Sequence, residues 1–169
     1  MSITSGERLE DYSFRWSLQP HIDTVLEGGI SEGPEFYDKF GYVYFELGRW
    51  NKAEELQLQA RDVRLKVLGE EHPDTLWAMG NLAVIYKDSG WWMEAEELEL
   101  QVRDVRLKVL GAEHPDTLSA MGNLAVTYRN TGRWKEAEEL QLQVRDILLR
   151  VLGEEPPDTL LAMGNLAVT

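Results

Sequence analysis

Pro73-Asp74-Thr75-Leu76 returns as Pro115-Asp116-Thr117-Leu118 and again as Pro157-Asp158-Thr159-Leu160. Leu68-Gly69 returns in the same way as Leu110-Gly111 and Leu152-Gly153, and every recurrence lies 42 residues from the last. The stretches beginning at Pro73 and Pro115 are identical at roughly two-thirds of positions, which marks a tandem repeat. The repeat, not the whole chain, is then the unit of folding. Such a unit cannot bury its apolar face alone, and stacked neighbours bury it for one another.

Each unit reads as two helices. The first opens at Pro73 or Pro115, where the missing proline N–H costs nothing. Asp74 and Asp116 then place negative charge in the first turn, where the helix dipole favours it. Leu76, Met79, Leu82, Ala83 and Tyr86 follow on one stripe. Gly90 and Gly132 end these helices. The second helix begins near Trp92, which is read as a core residue, or Trp134, and carries Ala95, Leu98, Val102, Val105 and Val109 at helical spacing. Gly111 supplies a left-handed cap. Asp62/Lys66, Asp104/Lys108 and Asp146/Arg150 are read as i,i+4 ion pairs on a solvated face.

The order Leu82-Ala83, Tyr86, Gly90, Trp92, Ala95 resembles the tetratricopeptide signature, in which small residues let paired helices approach and large ones fill the gaps. The usual period there is about 34 residues. A second helix longer by about two turns, with the Leu-Gly-x-Glu-His-Pro-Asp loop, absorbs the difference. That loop and the 42-residue period are similar to the kinesin light chain subclass. Gly132-Arg133-Trp134-Lys135-Glu136-Ala137-Glu138-Glu139-Leu140 resembles still more closely the repeat domains of fungal NB-ARC or STAND (NLR-like) signalling ATPases. The resemblance covers about Glu35 to Thr169. It implies an all-α fold, a right-handed superhelical α-solenoid of antiparallel helix hairpins, with first helices lining a concave groove and second helices forming the outer wall.

On this reading residues 1–33 are an N-terminal helical cap and linker, 34–72 a divergent first repeat, 73–114 and 115–156 two full repeats, and 157–169 a truncated half repeat. In the first repeat Phe40, Gly41, Tyr44 and Gly48 stand one period before Leu82, Ala83, Tyr86 and Gly90. Phe14 to Leu26 reads as a short helix, and Gly28, Gly29, Gly33 and Pro34 as a linker. Arg15 to His21 is similar to the junction that, in the receptor-like family, joins the array to an ATPase module. No GxxxxGK[ST] phosphate loop is present in the sequence. The sequence stops at Thr169 inside a first helix, one residue before the expected tyrosine. The expectation is therefore a section cut from a longer array.

Composition narrows the partners. Seventeen basic against thirty acidic residues give a formal net charge of −13, which repels phosphate backbones and anionic lipid surfaces. Nucleic acid and membrane are therefore excluded as partners, and a protein or peptide of basic character is expected. With no cysteine there are no disulfides or thiolate metal sites, which suits a reducing compartment. Residues 1–10 are polar and lack the apolar core of a signal peptide. A cytoplasmic protein is expected.

By family position the groove-facing residues are Trp77, Asn81, Val84 and Asp88, then Ser119, Asn123, Val126 and Asn130, then Leu161, Asn165 and Val168. The resemblance implies that asparagines at this position hold an extended peptide backbone, since an amide both donates and accepts. They could equally hydrogen-bond between adjacent first helices, and the two roles are compatible. The lysines and arginines that carboxylate clamps place beside them are missing, which argues against capture of a peptide C-terminus. The copies also differ from one another, at Trp77/Ser119/Leu161, Lys87/Arg129, Asp88/Asn130, Trp91/Arg133 and Met93/Lys135. Tryptophan is enriched at binding hot spots, so Trp77 is read as an anchor and Trp91 as a second exposed contact.

Chemistry is not expected. His72 and His114 each precede a helix-starting proline and lie a whole repeat apart, so they are read as loop and capping residues, not as metal ligands. Adjacent glutamates such as Glu96-Glu97 point in different directions on a helix and do not form an acid–base pair. Nothing resembles a nucleophile elbow. No catalytic residue, cofactor or metal is assigned. Three functions follow in order: the ligand-sensing array of a fungal NLR-like receptor ATPase, a kinesin-light-chain-like cargo adaptor, and a spacer that self-associates end to end through the half repeat near Thr169.

Overall fold

Proline and tryptophan mark the helix starts. The computed structural model describes residue 17, residues 20–24 and residues 33–152. Its helices are α1 (Pro34–Glu46), α2 (Trp50–Leu68), α3 (Pro73–Asp88), α4 (Trp92–Leu110), α5 (Pro115–Asn130) and α6 (Trp134–Leu152). Residues 20–24 are also helical, and no strand occurs among the described residues. This is the all-α architecture of antiparallel hairpins that the repeat predicts. No helix among the described residues is long and apolar enough to cross a membrane. The expected half repeat, with Leu161, Asn165 and Val168, lies outside the described residues, as does most of the short helix expected over Phe14 to Leu26.

Local chemistry fixes the ends of α3 and α5. His72 and His114 occupy the N-cap, and each imidazole Nδ1 accepts from the backbone N–H two residues on (Asp74, Asp116) at 3.1 Å. A backbone donor left over at the helix start is thereby satisfied. The capping role read from sequence is the one observed. The long helix α4 ends at Gly111 with φ 87° and ψ 169°. The expected left-handed cap has the right sign of φ, but ψ places it in an extended region that is essentially reserved for glycine.

The chain divides into two compact units, one up to Gly69 and one from Glu70. In the first, α1 packs on α2. Gln57 lies so close to Gly41 that a Cβ there would sit 2.8 Å from the Gln57 amide nitrogen. Alanine, which fills this position as Ala83 one period later, would push Gln57 aside. Arg64, itself buried, and the half-buried Asp38 form a two-pronged ion pair across the hairpin. Tyr44 donates its hydroxyl to Asp23, and burial together with that carboxylate pushes the phenol well above its usual range. Phe45 and Trp50 meet edge to face at 5.2 Å across the turn.

The second unit holds two hairpins, α3–α4 and α5–α6, with α4 packed against α5. Ala83 and Ala95 are fully buried at the α3–α4 crossing, as are Ala125 and Ala137 at the next, so each pair of backbones can approach closely. Leu118, Met121, Leu124 and Tyr128 close on Leu140, Val144 and Ile147 in a single apolar cluster. Burying each such aliphatic side chain contributes about 1.5–3 kcal/mol. The apolar stripe of α4 narrows toward its end: Ala95, Leu98 and Val102 are buried, Val105 is half-buried and Val109 is exposed.

The surface charges pair differently from the i,i+4 expectation. Asp104 accepts from its neighbour Arg103 (Nε 2.8 Å, Nη2 2.7 Å), and Asp62 and Asp146 do the same with Arg61 and Arg145. Lys108 instead reaches Glu71, at 2.6 Å, which holds its ammonium above the ordinary value. Arg150 approaches Glu113 at 3.7 Å. The adjacent arginine supplies two donors to one carboxylate and so outcompetes the lysine a turn away. These exposed pairs contribute little to stability.

Two glycines of the second unit should respond with opposite signs. Gly80 lies inside α3 with open space around its Cα, so Gly80→Ala should stabilise by up to about 1 kcal/mol. Gly111 has equal space but a positive φ, so Gly111→Ala should destabilise by about 1–3 kcal/mol. Urea unfolding of both variants measures the pair.

Candidate functional site

Consecutive first helices α3 and α5 leave a cavity of about 210 Å³ between them, backed by α4. Five of the predicted groove residues line it: Trp77, Asn81 and Val84 from α3, and Ser119 and Asn123 from α5. Trp77 is 51% exposed, an unusual state for so large an apolar side chain. The Asn81 and Asn123 amides make no hydrogen bond to each other or to another described residue. Bridging between adjacent first helices, the structural alternative for these asparagines, is thus not their arrangement in this pair.

The remaining predicted residues are not in the cavity wall. Asp88 and Asn130 are exposed and Val126 is half-buried. The Asn130 amide donates to the Val126 carbonyl at 3.0 Å, on its own helix. Trp91, read as an exposed contact, is half-buried, with its ring 5.7 Å from that of Tyr86. Its counterpart Arg133 lies 4.1 Å over the Tyr128 ring, so the two positions fill the same place with different chemistry. Trp92, read as a core residue, is only half-buried, and its counterpart Trp134 is 64% exposed.

The floor of the cavity comes from residues the sequence reading missed. Glu99 of α4 is only 5% exposed. Its Oε1 accepts from Lys87 Nζ of α3 at 2.9 Å, and its Oε2 accepts from the Thr127 hydroxyl of α5 at 2.6 Å. One buried carboxylate therefore joins three helices and two hairpins. Charge and hydrogen bonds satisfy both of its oxygens, as a buried carboxylate requires. The available signal was weak: glutamine stands at the equivalent positions 57 and 141.

Arg106 forms another wall and donates from Nη1 to the Asp116 carbonyl at 3.1 Å. One period earlier Arg64 is locked to Asp38, but Gly80 replaces that aspartate here and itself lines the cavity. Space opens where the earlier copy is filled. Basic side chains thus do border the asparagines: Arg106 from α4, and Lys87 from α3 itself, where it is tied to Glu99.

The hairpins, their small-residue crossings and this inner cavity have the features of one repeat family, and the tetratricopeptide repeat model matches residues 36–108, 81–150 and 116–169. The chain belongs to the tetratricopeptide repeat family. Among solved structures, these tetratricopeptide hairpins are similar to the nearly identical TPR-like repeats of a candidate kinesin light chain from Podospora anserina. Identity is 30% and the TM-score 0.71, with 88% of this chain and 71% of that one covered. A point variant of the same protein gives 30% and 0.71, covering 88% and 70%. BtubC (BKLC) from P. vanneervenii shares the fold at 19% identity and a TM-score of 0.67, over 94% of this chain and 67% of its own. No curated protein sequence matches the chain.

The joint under the tetratricopeptide groove can be tested by its asymmetry. Lys87→Ala strands a buried carboxylate and should destabilise the chain by about 3–5 kcal/mol. Glu99→Gln installs the residue native to the other two copies and should cost less than half of that. Urea denaturation of both variants checks the order, and equal losses would contradict it.

Proposed function

We propose that the chain is a non-catalytic scaffold that holds an extended protein or peptide segment in the groove between α3 and α5. The observation that carries this is the gathering of Trp77, Asn81, Val84, Ser119 and Asn123 around one cavity. Two amides a repeat apart can pair with a peptide backbone without reading its side chains, because each both donates and accepts. Trp77 supplies apolar area at one end, and a large exposed aromatic anchors a partner efficiently. The net charge of −13 steers a basic partner toward the chain faster than a neutral one. Repeats at 34–72, 73–114 and 115–156 are the units of this scaffold.

For the parent protein the reading is the ligand-sensing array of a fungal NLR-like receptor ATPase in a cytoplasmic setting. The string from Gly132 to Leu140 and the junction-like stretch from Arg15 to His21 support it. Likeness to the Podospora repeats at 30% identity supports a second reading, a kinesin-light-chain-like adaptor for cargo peptides. A nucleotide-binding module encoded upstream favours the receptor, whereas a heptad coiled coil there favours the adaptor.

Peptides selected from a random display library on the immobilised chain provide the probe for the groove. Fluorescence anisotropy should show Trp77→Ala binding them about tenfold more weakly, with a smaller loss for Asn123→Ala. The urea midpoint should hardly move, since both side chains face solvent. Unchanged affinity in both variants would remove the groove from consideration.

A further inference from the structure

The hairpin-turn edge of the second unit carries apolar surface that the groove does not use. Met93, in the first turn of α4, is 82% exposed, and Trp134, at the start of α6, is 64% exposed. An ion pair brings them to the same edge. Arg133, directly before Trp134, donates to Glu96, one turn after Met93, at 2.6 Å. Arg133 also donates to Glu136 at 3.0 Å, and both carboxylates hold the guanidinium above its ordinary range. The edge is therefore fixed in place and its arginine is already occupied.

The charge around this apolar pair has one sign in excess. Glu94, Glu97, Glu138 and Glu139 are all exposed, with Lys135 the one exposed cation among them on these two helix starts. The copies explain why. Repeat positions that hold Arg133 and Lys135 in one hairpin hold Trp91 and Met93 in the other. Two cations are thus exchanged for apolar side chains, which adds sticky area and leaves the glutamates less neutralised. Trp91 lies against Tyr86, so the gain in exposed area falls on Met93.

We propose that this edge, formed by Met93 and Trp134 and flanked by Glu94, Glu97 and Glu138, is a second docking surface, and that its occupant is a basic protein segment that alternates cationic and aliphatic residues. The aliphatic side chains cover Met93, whose unbranched thioether adapts to varied shapes. A cation lies over the exposed indole face of Trp134, where the ring quadrupole attracts it. The remaining cations pair with the glutamates on either side. This surface is independent of the groove, because Trp77 and the asparagines take no part in it.

The test uses the whole chain and three synthetic peptides: an eight-residue alternation of arginine and leucine, the same peptide with serine for leucine, and one with glutamate for arginine. Anisotropy at low salt should show binding of the arginine–leucine peptide that falls about tenfold in Met93→Lys and again in Trp134→Gln. Met93→Lys installs the residue native to the next copy, so the fold is preserved, and circular dichroism verifies it. Val109→Ser, an exposed position at the opposite end of α4 and part of neither surface, should bind as the unaltered chain does, which shows that loss of any exposed apolar side chain is not enough. Equal affinity for the serine peptide would overturn the proposal in favour of general charge attraction. So would an undiminished affinity in Met93→Lys and Trp134→Gln, or binding of the glutamate peptide.

Discussion

The joint between α4 and α5 is the contact on which the second unit depends. A hairpin of two helices has more apolar face than its own partner can cover, so it is stable only when the next hairpin closes on it. Apolar packing alone would allow that closure to slide, since burial carries no direction. Glu99 removes the freedom. Its carboxylate is taken from one side by Lys87 and from the other by Thr127, and a buried charge tolerates no arrangement that leaves either oxygen bare. The register of one hairpin on the next follows, and the cavity beside Trp77 inherits its shape from that register.

Much of this was readable before the structure. Helix starts, the glycine stops and the histidine caps all follow from local rules over a few residues, and a tandem repeat states them several times. Trp77, Asn81 and Asn123 were grouped by family position, which the resemblance to tetratricopeptide repeats supplied, and the structure sets all three around one cavity. Contacts between hairpins were not legible. Glu99 meets Thr127 across 28 residues, and Lys108 meets Glu71 across 37, so their partners depend on how hairpins stack and not on helical spacing. The surface was misread for a local reason instead: Asp104 was given to Lys108 but takes the two donors of its adjacent arginine.

Electrostatics act at two scales in this chain. The excess of acid is a long-range property, effective in steering a partner within about a Debye length of the surface. The interior is the reverse: Glu99 and Lys87 cancel, and Arg106 leaves the cavity wall locally positive. A segment drawn in by the outer field therefore meets the Arg106 guanidinium at the cavity wall but glutamates at the outer edge. Position along the partner, and not only its total charge, then decides how it seats.

The ion pairs that span hairpins follow a single offset: Glu71 with Lys108, Glu96 with Arg133, and Glu113 with Arg150, each 37 residues apart. In a gene built of near-identical units, recombination can add or delete a copy in frame, and the pair that recurs as Glu71–Lys108 and Glu113–Arg150 would form again at the new seam. The Glu96–Arg133 pair would not, because Trp91 stands one period before Arg133. The Glu99 joint lacks that interchangeability, because its neighbours at the same positions carry glutamine and its two partners come from different copies. It acts as a keyed coupling in a train of otherwise standard carriages, fixing which two copies must stay adjacent while the others are free to vary in number.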